Sequence, residues 1–362
     1  MKKTVWSDTT FEEKINAIAP LDIEAMDEAQ VRMDALCKPI GSLGELEEIA
    51  VQLAGITGQV ENDLTKKAMV VFAADNGIWE EKISPLPQSI TLVQTQNMVK
   101  GITGVCVLAK QAGADVRIVD IGINTREPVE GVIDKKIMRG TYSIAQGPAM
   151  SRIEAERAIM IGFDMAQELK EQGYAMVAPG EMGICNTSTA SAVLCALTGA
   201  APEETTGKGA GLDETTFQRK IEVIKKALKK NKPQDGDVVD VLCKVGGLDI
   251  AAMTGFYLGA AFARMPVVID GVISIAAALC AYRINPLCRQ YMFASHHSLE
   301  KGYAVAQKTL DVQNLINVHL RLGEGSGCPL AFFVIESAAH IMTDMGTFEQ
   351  ANIDAEDMVD IR

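Results

Sequence analysis

Four short apolar runs, each closed by a polar turn that carries a glycine, limit most strongly what this 362-residue chain can fold into. Ala68–Ala74 runs into Asp75-Asn76-Gly77, and Asp115–Ile121 into Gly122-Ile123-Asn124. Tyr174–Ala178 runs into Pro179-Gly180-Glu181, and Pro266–Ile269 into Asp270-Gly271. Runs this apolar and this short fit strands buried on both faces, as in a parallel sheet. Helical patterns lie between them. Ser151-Arg152-Ile153-Glu154 has the form of a capping box. Ala158, Ile161, Met165 and Leu169 then recur at helical steps, and Gly173 supplies the stop. A second helix is expected over Phe217–Lys230, with Ile221, Ile224 and Leu228 inward and five lysines on the other face. Strands alternating with helices imply an α/β fold around a parallel sheet. Ligands then bind beyond the carboxyl ends of strands, which makes Asp75, Asp120, Glu181 and Asp270 candidate site residues.

The chain ends read differently. Phe11–Ala19, Ile23–Leu36 and Leu43–Leu53 are expected helices, broken at Pro20 and at Pro39-Ile40-Gly41, and Leu330–Met345 is another. We expect residues 1–60 and 330–362 to form a small helical domain and residues 61–329 a large α/β domain. A net charge of −13 argues against a nucleic-acid surface, where a basic stripe is expected. No apolar run reaches the roughly 20 residues of a membrane span. The N-terminus turns acidic within a few residues, so no signal peptide is expected. The eight cysteines include no C-x-x-C pair and have mostly apolar neighbours, which fits reduced thiols in a cytoplasmic protein.

The segment Arg321-Leu322-Gly323-Glu324-Gly325-Ser326-Gly327 sets one carboxylate among small residues. Glycine lets another molecule approach the backbone closely, so Glu324 can face a ligand. A helix-capping loop ahead of Pro329 is the competing reading, and both stay open at this point. The other small-residue segments are Gly180–Thr187, Gly207–Gly211, Lys244–Gly247 and Asp270-Gly271. None has the spacing of a Walker phosphate loop or of a dinucleotide-binding turn. Their amides can still cradle one phosphate. Lys220 behind such a loop can add charge, and Ser295-His296-His297-Ser298 can add donors. Adjacent histidines rarely share one ion, so no metal is expected. Cys185 and Cys328 lie near the loops, but neither has a neighbouring base in sequence, so small packing roles are expected.

Taken together, the motifs resemble the nicotinate-nucleotide:dimethylbenzimidazole phosphoribosyltransferases. The matching stretches are Lys38–Gly44, Ala74–Gly77, Gly101–Ala109, Gly147–Arg152, Gly180–Thr187, Lys244–Gly247, Asp270-Gly271, Ser295–Gly302 and Arg321–Gly327. They span nearly the whole chain. The resemblance implies a Rossmann-like sheet domain with a small helical domain from both termini, in a dimer with a like or related subunit. It implies transfer of phosphoribose from nicotinate mononucleotide to a nitrogen of an aromatic base, with inversion, and needs no cofactor. By resemblance, Glu324 is the general base and Glu181 lies beside the ribose. Gly183, Gly209, Lys220, Asp270, Gly271 and Ser298 form the phosphoribose set. Gln94 belongs to the base pocket, with Met182 and Leu322 as apolar walls.

The segment Ile83–Gln94 departs from the pattern, with two prolines and a longer reach. Ser84 and Gln88 face the base in this alignment, and their shift leaves the acceptor open. Some relatives use purines, and others, as paired unlike subunits, use phenols. Two other classes use the same parts: a non-catalytic nucleotide-binding subunit and a hydrolase that sends water to the ribose. Two acidic residues speak against the first, and an apolar wall speaks against the second.

Overall fold

The computed structural model describes residues 4, 6–209, 211–354 and 359–362. Positions 1–3, 5 and 355–358 of the expected helical domain, and Ala210 of the Gly207–Gly211 segment, lie outside the described residues. Seven strands form one sheet: β1 (Lys67–Ala74), β2 (Ala114–Gly122), β3 (Ile133–Asp134), β4 (Met176–Met182), β5 (Val267–Ile269), β6 (Met292–His296) and β7 (Asn314–Ile316). Their order is β3-β2-β1-β4-β5-β6-β7, and every pairing is parallel. This is the α/β architecture expected from the sequence. Every residue of β1 is buried, which is why that run carries no alternation. The chain winds outward through β2 and β3, then returns to place β4 on the opposite side of β1. That reversal opens a crevice at the carboxyl ends of β1 and β4.

Several local readings shift. Pro179-Gly180-Glu181 is not a turn but continues β4, with Pro179 opposite Val70 and Glu181 opposite Phe72. On its other side β4 meets β5 only at Val177, so the missing N–H of Pro179 interrupts no ladder there. Strands β3, β6 and β7 have between two and five residues, too short to stand out as periodic runs. The helices Leu248–Phe262 and Val272–Ile284 are buried nearly all round and therefore show no polar face. The capping box at Ser151 forms, and its helix runs Arg152–Glu171.

The helices Ile23–Ala35 and Glu45–Thr57 pack together, and the second also packs on Cys328–Asp344. Backbone bridges join Leu36 to Thr347 and Ile40 to Asp360. A buried ion pair of 2.8 Å joins Lys38 to Glu47. One apolar core runs continuously from these helices through both faces of the sheet. No described helix is long and apolar enough to cross a membrane.

Candidate active site

Beyond the carboxyl ends of β4, β5 and β6 lies a cavity of about 370 Å³. Glu324, Glu181, Gly183, Gly209, Lys220, Asp270, Gly271, Ser298, Ser84, Gln94, Met182 and Leu322 all line it. Gln88 does not. It sits just ahead of the helix Ile90–Val99, and its Oε1 instead accepts from Asn124 Nδ2 at 3.1 Å.

Glu324 belongs to the loop that precedes the helix Cys328–Asp344, but it does not cap that helix. Gly327 holds the cap position, with no side-chain cap bond. The carboxylate reaches another helix, Gly104–Gln111. There Oε2 accepts from the Val105 N–H at 3.1 Å, while Oε1 accepts from Gln94 Nε2 at 2.7 Å. A helix N-terminus favours the negative charge. Glu324 is 5 % exposed and has φ +63°, between two glycines at +83° and +85°. Such strain persists only where surrounding contacts over-determine it. Here they do. The Glu324 N–H donates to Glu181 Oε1 at 3.2 Å. The amides of Gly325 and Gly327 donate to the two Asp270 oxygens at 3.1 and 2.7 Å. A Cβ on Gly180 would stand 2.2 Å from the Glu324 carbonyl oxygen, so only glycine at that end of β4 admits the loop. Asp270, a phosphoribose contact by resemblance, thus accepts with both oxygens from the Glu324 loop. His296 lies 3.7 Å from Asp270, and burial holds its pKa below the ordinary value.

Three further carboxyl groups crowd this end of the sheet. Glu181, Asp249 and Asp270 are each at least nine-tenths buried. Asn186 Nδ2 donates to Glu181 Oε2 and also to Asp249 Oδ2, the latter at 3.1 Å. Burial, and then the charge of Asp249, push the Glu181 carboxyl well above its ordinary range. Burial raises Asp249 and Asp270 to about 6. Asp249 escaped the sequence reading because it sits inside an apolar helix. Its one signal was a charged residue directly after Gly246-Gly247-Leu248, at a helix start.

Lys220 and two helix starts give another part of the cavity a cationic character. Lys220 is 2 % exposed, and its Nζ donates to Thr187 Oγ1 at 2.9 Å and to the Gly207 carbonyl at 3.1 Å. No carboxylate among the described residues forms an ion pair with it, and burial lowers its pKa to about 8. Its helix begins at Glu214, ahead of the expected Phe217, so Lys220 stands in the second turn. The lysines Lys226, Lys229 and Lys230 are exposed, as expected of a solvated face. The first turns of two helices, Asn186–Thr198 and Val272–Ile284, also line the cavity through Thr187, Ser188, Val272 and Ile273. Two helix starts, a buried cation and the hydroxyl of Ser298 together suit an anion such as a phosphate.

The same cavity is lined by Ile83, Pro85, Leu86, Ile90, Met182 and Leu322, an apolar wall for a flat ring. Cys185 is pushed up to about 11 by burial, and Cys328 is also raised well above an ordinary thiol. Neither is a thiolate at neutral pH, so nucleophilic thiol chemistry has no support.

A cavity with a cationic part, an apolar slot and buried acids suits a phosphorylated sugar joined to a flat ring. Comparison with known proteins agrees. A phosphoribosyltransferase family model matches residues 18–353. The nicotinate-nucleotide–dimethylbenzimidazole phosphoribosyltransferase of Clostridium perfringens is 47% identical over 350 residues, covering 97% of both chains. That of Ruminiclostridium cellulolyticum is 49% identical over 345 residues, covering 95% of this chain and 98% of its own. The crystal structure of CobT from Thermus thermophilus superposes with a TM-score of 0.88 at 37% identity, covering 91% of this chain and 99% of that one. By sequence and by fold, this chain belongs to the nicotinate-nucleotide–dimethylbenzimidazole phosphoribosyltransferase family.

Proposed function

We propose that this protein moves the 5-phosphoribosyl group of nicotinate mononucleotide to a ring nitrogen of 5,6-dimethylbenzimidazole. The products are α-ribazole 5′-phosphate, for the lower ligand of a cobamide, and nicotinate. The observation that carries this reading is the Glu324 carboxylate, held in one cavity with the proposed phosphate site and an apolar slot.

The donor phosphate sits against Lys220 Nζ, Ser298 and the amides that start the helix Val272–Ile284. The C1′–N bond to nicotinate breaks, and its electrons neutralise the cationic pyridinium, so departure needs no acid. Positive charge develops at C1′, and the buried Glu181 carboxylate stabilises it. The acceptor nitrogen forms the new bond from the opposite face, which inverts the anomeric centre. Glu324 takes the proton from the acceptor N–H. A carboxylate kept from bulk water and held by two donors is suited to that transfer. Gln94 and the Val105 amide fix its direction. Binding both rings against one ribose supplies much of the remaining acceleration.

We place the enzyme in the cytoplasm as a dimer. Exposed Val99, Ile102 and Val107, on two helices beside Glu324 and the turn between them, support a covered face there. Purine or phenol acceptors, with an unlike partner subunit, are the second reading. The segment Ser84–Gln88 bears on it, because Ser84 and Leu86 line the slot while Gln88 turns away. Mass spectrometry of competition reactions with dimethylbenzimidazole, adenine and phenol separates the readings. The expected main product is the benzimidazole ribotide. A dominant phenolic O-glycoside would move the assignment to the second reading, and free ribose 5-phosphate alone would make the protein a hydrolase.

A further inference from the structure

The Glu181 carboxyl does not stand alone. Its Oε2 shares the Asn186 amide with Asp249, a wholly buried residue in the first turn of the helix Leu248–Phe262 that does not line the cavity. Asp249 is locked in turn. Its Oδ1 accepts from the Ile250 N–H at 3.0 Å, and the Asn76 side chain lies against it. A Cβ on Gly247 would fall 2.4 Å from Asp249 Oδ1, and one on Gly183 would fall 3.1 Å from Asp249 Oδ2. Gly183 therefore closes the packing over this group as well as lining the cavity.

Two like charges face Glu181: Asp249 from the helix Leu248–Phe262 and Asp270 from the turn after β5, while the Glu324 backbone N–H donates to it. Asp75, directly after the neighbouring strand β1, accepts instead from the Asn124 N–H. No lysine or arginine among the described residues forms an ion pair with Glu181, Asp249 or Asp270. Buried carboxyl groups so placed cannot all be ionised together. Nicotinate mononucleotide brings the missing cation as its pyridinium ring.

Building on the function proposed above, we propose that Asp249 is a positioning residue for phosphoribosyl transfer. Through the Asn186 amide it fixes the Glu181 carboxyl beside the donor ribose, and its negative charge keeps a proton on Glu181 until the cationic ring of the donor displaces it. Donor binding then releases that proton to solvent. Glu181 becomes anionic only when a positive charge lies within reach of it, so the site spends little time as an uncompensated cluster of anions. When the pyridinium leaves as neutral-ringed nicotinate, the attraction that held the charge is lost, and the proton can return.

The test uses the full-length enzyme with nicotinate mononucleotide. Asp249→Asn removes one charge and keeps the shape, so Glu181 ionises more easily. The acid limb of the kcat/KM profile for the donor should move to lower pH by about one unit. Calorimetry of donor binding near pH 6.5, in buffers of different ionisation enthalpy, should show fewer protons released than in wild type. Release from the nucleotide's own phosphate is common to both proteins and cancels in the comparison. Asn186→Ala removes the shared donor and should move the acid limb the other way, to higher pH. A purely structural role would lower activity in both variants without opposite shifts. Acid limbs that stay at the wild-type position, or move in one direction in both variants, would overturn the proposal. So would an unchanged proton count in Asp249→Asn. If Asp249→Asn does not fold, the direction of the Asn186→Ala shift decides. Wild-type enzyme that neither binds nor consumes the nucleotide would instead refute the function on which this inference rests.

Discussion

Glu324→Gln is expected to lower kcat by about 10²- to 10⁴-fold, the usual worth of a general base, with the dissociation constant of nicotinate mononucleotide nearly unchanged. The split follows from where the group sits. Its oxygens meet Gln94 Nε2 and the Val105 amide, whereas the proposed phosphate site is built on Lys220, Ser298 and the start of the helix Val272–Ile284. Glutamine keeps the volume and can still accept from Val105, so the loop stays clamped by Glu181 and Asp270. What is lost is the ability to take a proton. An effect confined to the chemical step, with ground-state donor binding intact, is the signature of an interaction made in the transition state. Stopped-flow or single-turnover kinetics with the acceptor, beside calorimetry with the donor alone, measures both halves.

Lys220→Met is expected to raise KM for the nucleotide roughly 10- to 100-fold, with little change in KM for the base. A charge-assisted hydrogen bond to a buried anion is worth about 1.5–3 kcal/mol, and about 1.4 kcal/mol is a factor of ten. Wild-type affinity should also depend on pH with a definite sign. The lysine titrates at about 8 in the free protein, because burial disfavours its charged form. A bound phosphate supplies the counter-charge and raises that value. The part of the nucleotide affinity that Lys220 supplies is then complete below about pH 8 and falls as the pH rises through it, with proton uptake on binding at alkaline pH. The methionine variant should lose both the slope and the uptake. A nucleotide KM equal to wild type would remove Lys220 from the phosphate cradle.

The framework of the fold was legible because β1, β2 and β4 carry long buried runs, and because Ser151 and Glu154 write out a helix start. The short strands β3, β6 and β7 were not legible, since they contribute two to five residues each and take their conformation from pairing with a neighbour. Pro179-Gly180 misled for a definite reason. Those residue types signal a turn locally, but at this position glycine makes room for the Glu324 carbonyl, a tertiary demand that local pattern does not show. Glu324 and Lys220 stood out in the sequence as a carboxylate among glycines and a lysine behind a Gly-rich loop, and both line the cavity. Asp249 did not stand out, because its partner Asn186 lies 63 positions away and only the fold brings them together. Gln88 was placed with the base on resemblance alone, and its side chain is instead taken up by Asn124.

The most direct measurement is the rate of ribotide formation across a series of benzimidazoles whose ring N–H acidity is varied by substituents, in wild type and in Glu324→Gln. If the 324 carboxylate removes the N–H proton, the variant should depend steeply on acceptor acidity and approach wild type for the most acidic bases, which lose the proton unaided. Parallel dependences, with the variant slower by a constant factor at every acidity, would mean that proton removal happens elsewhere.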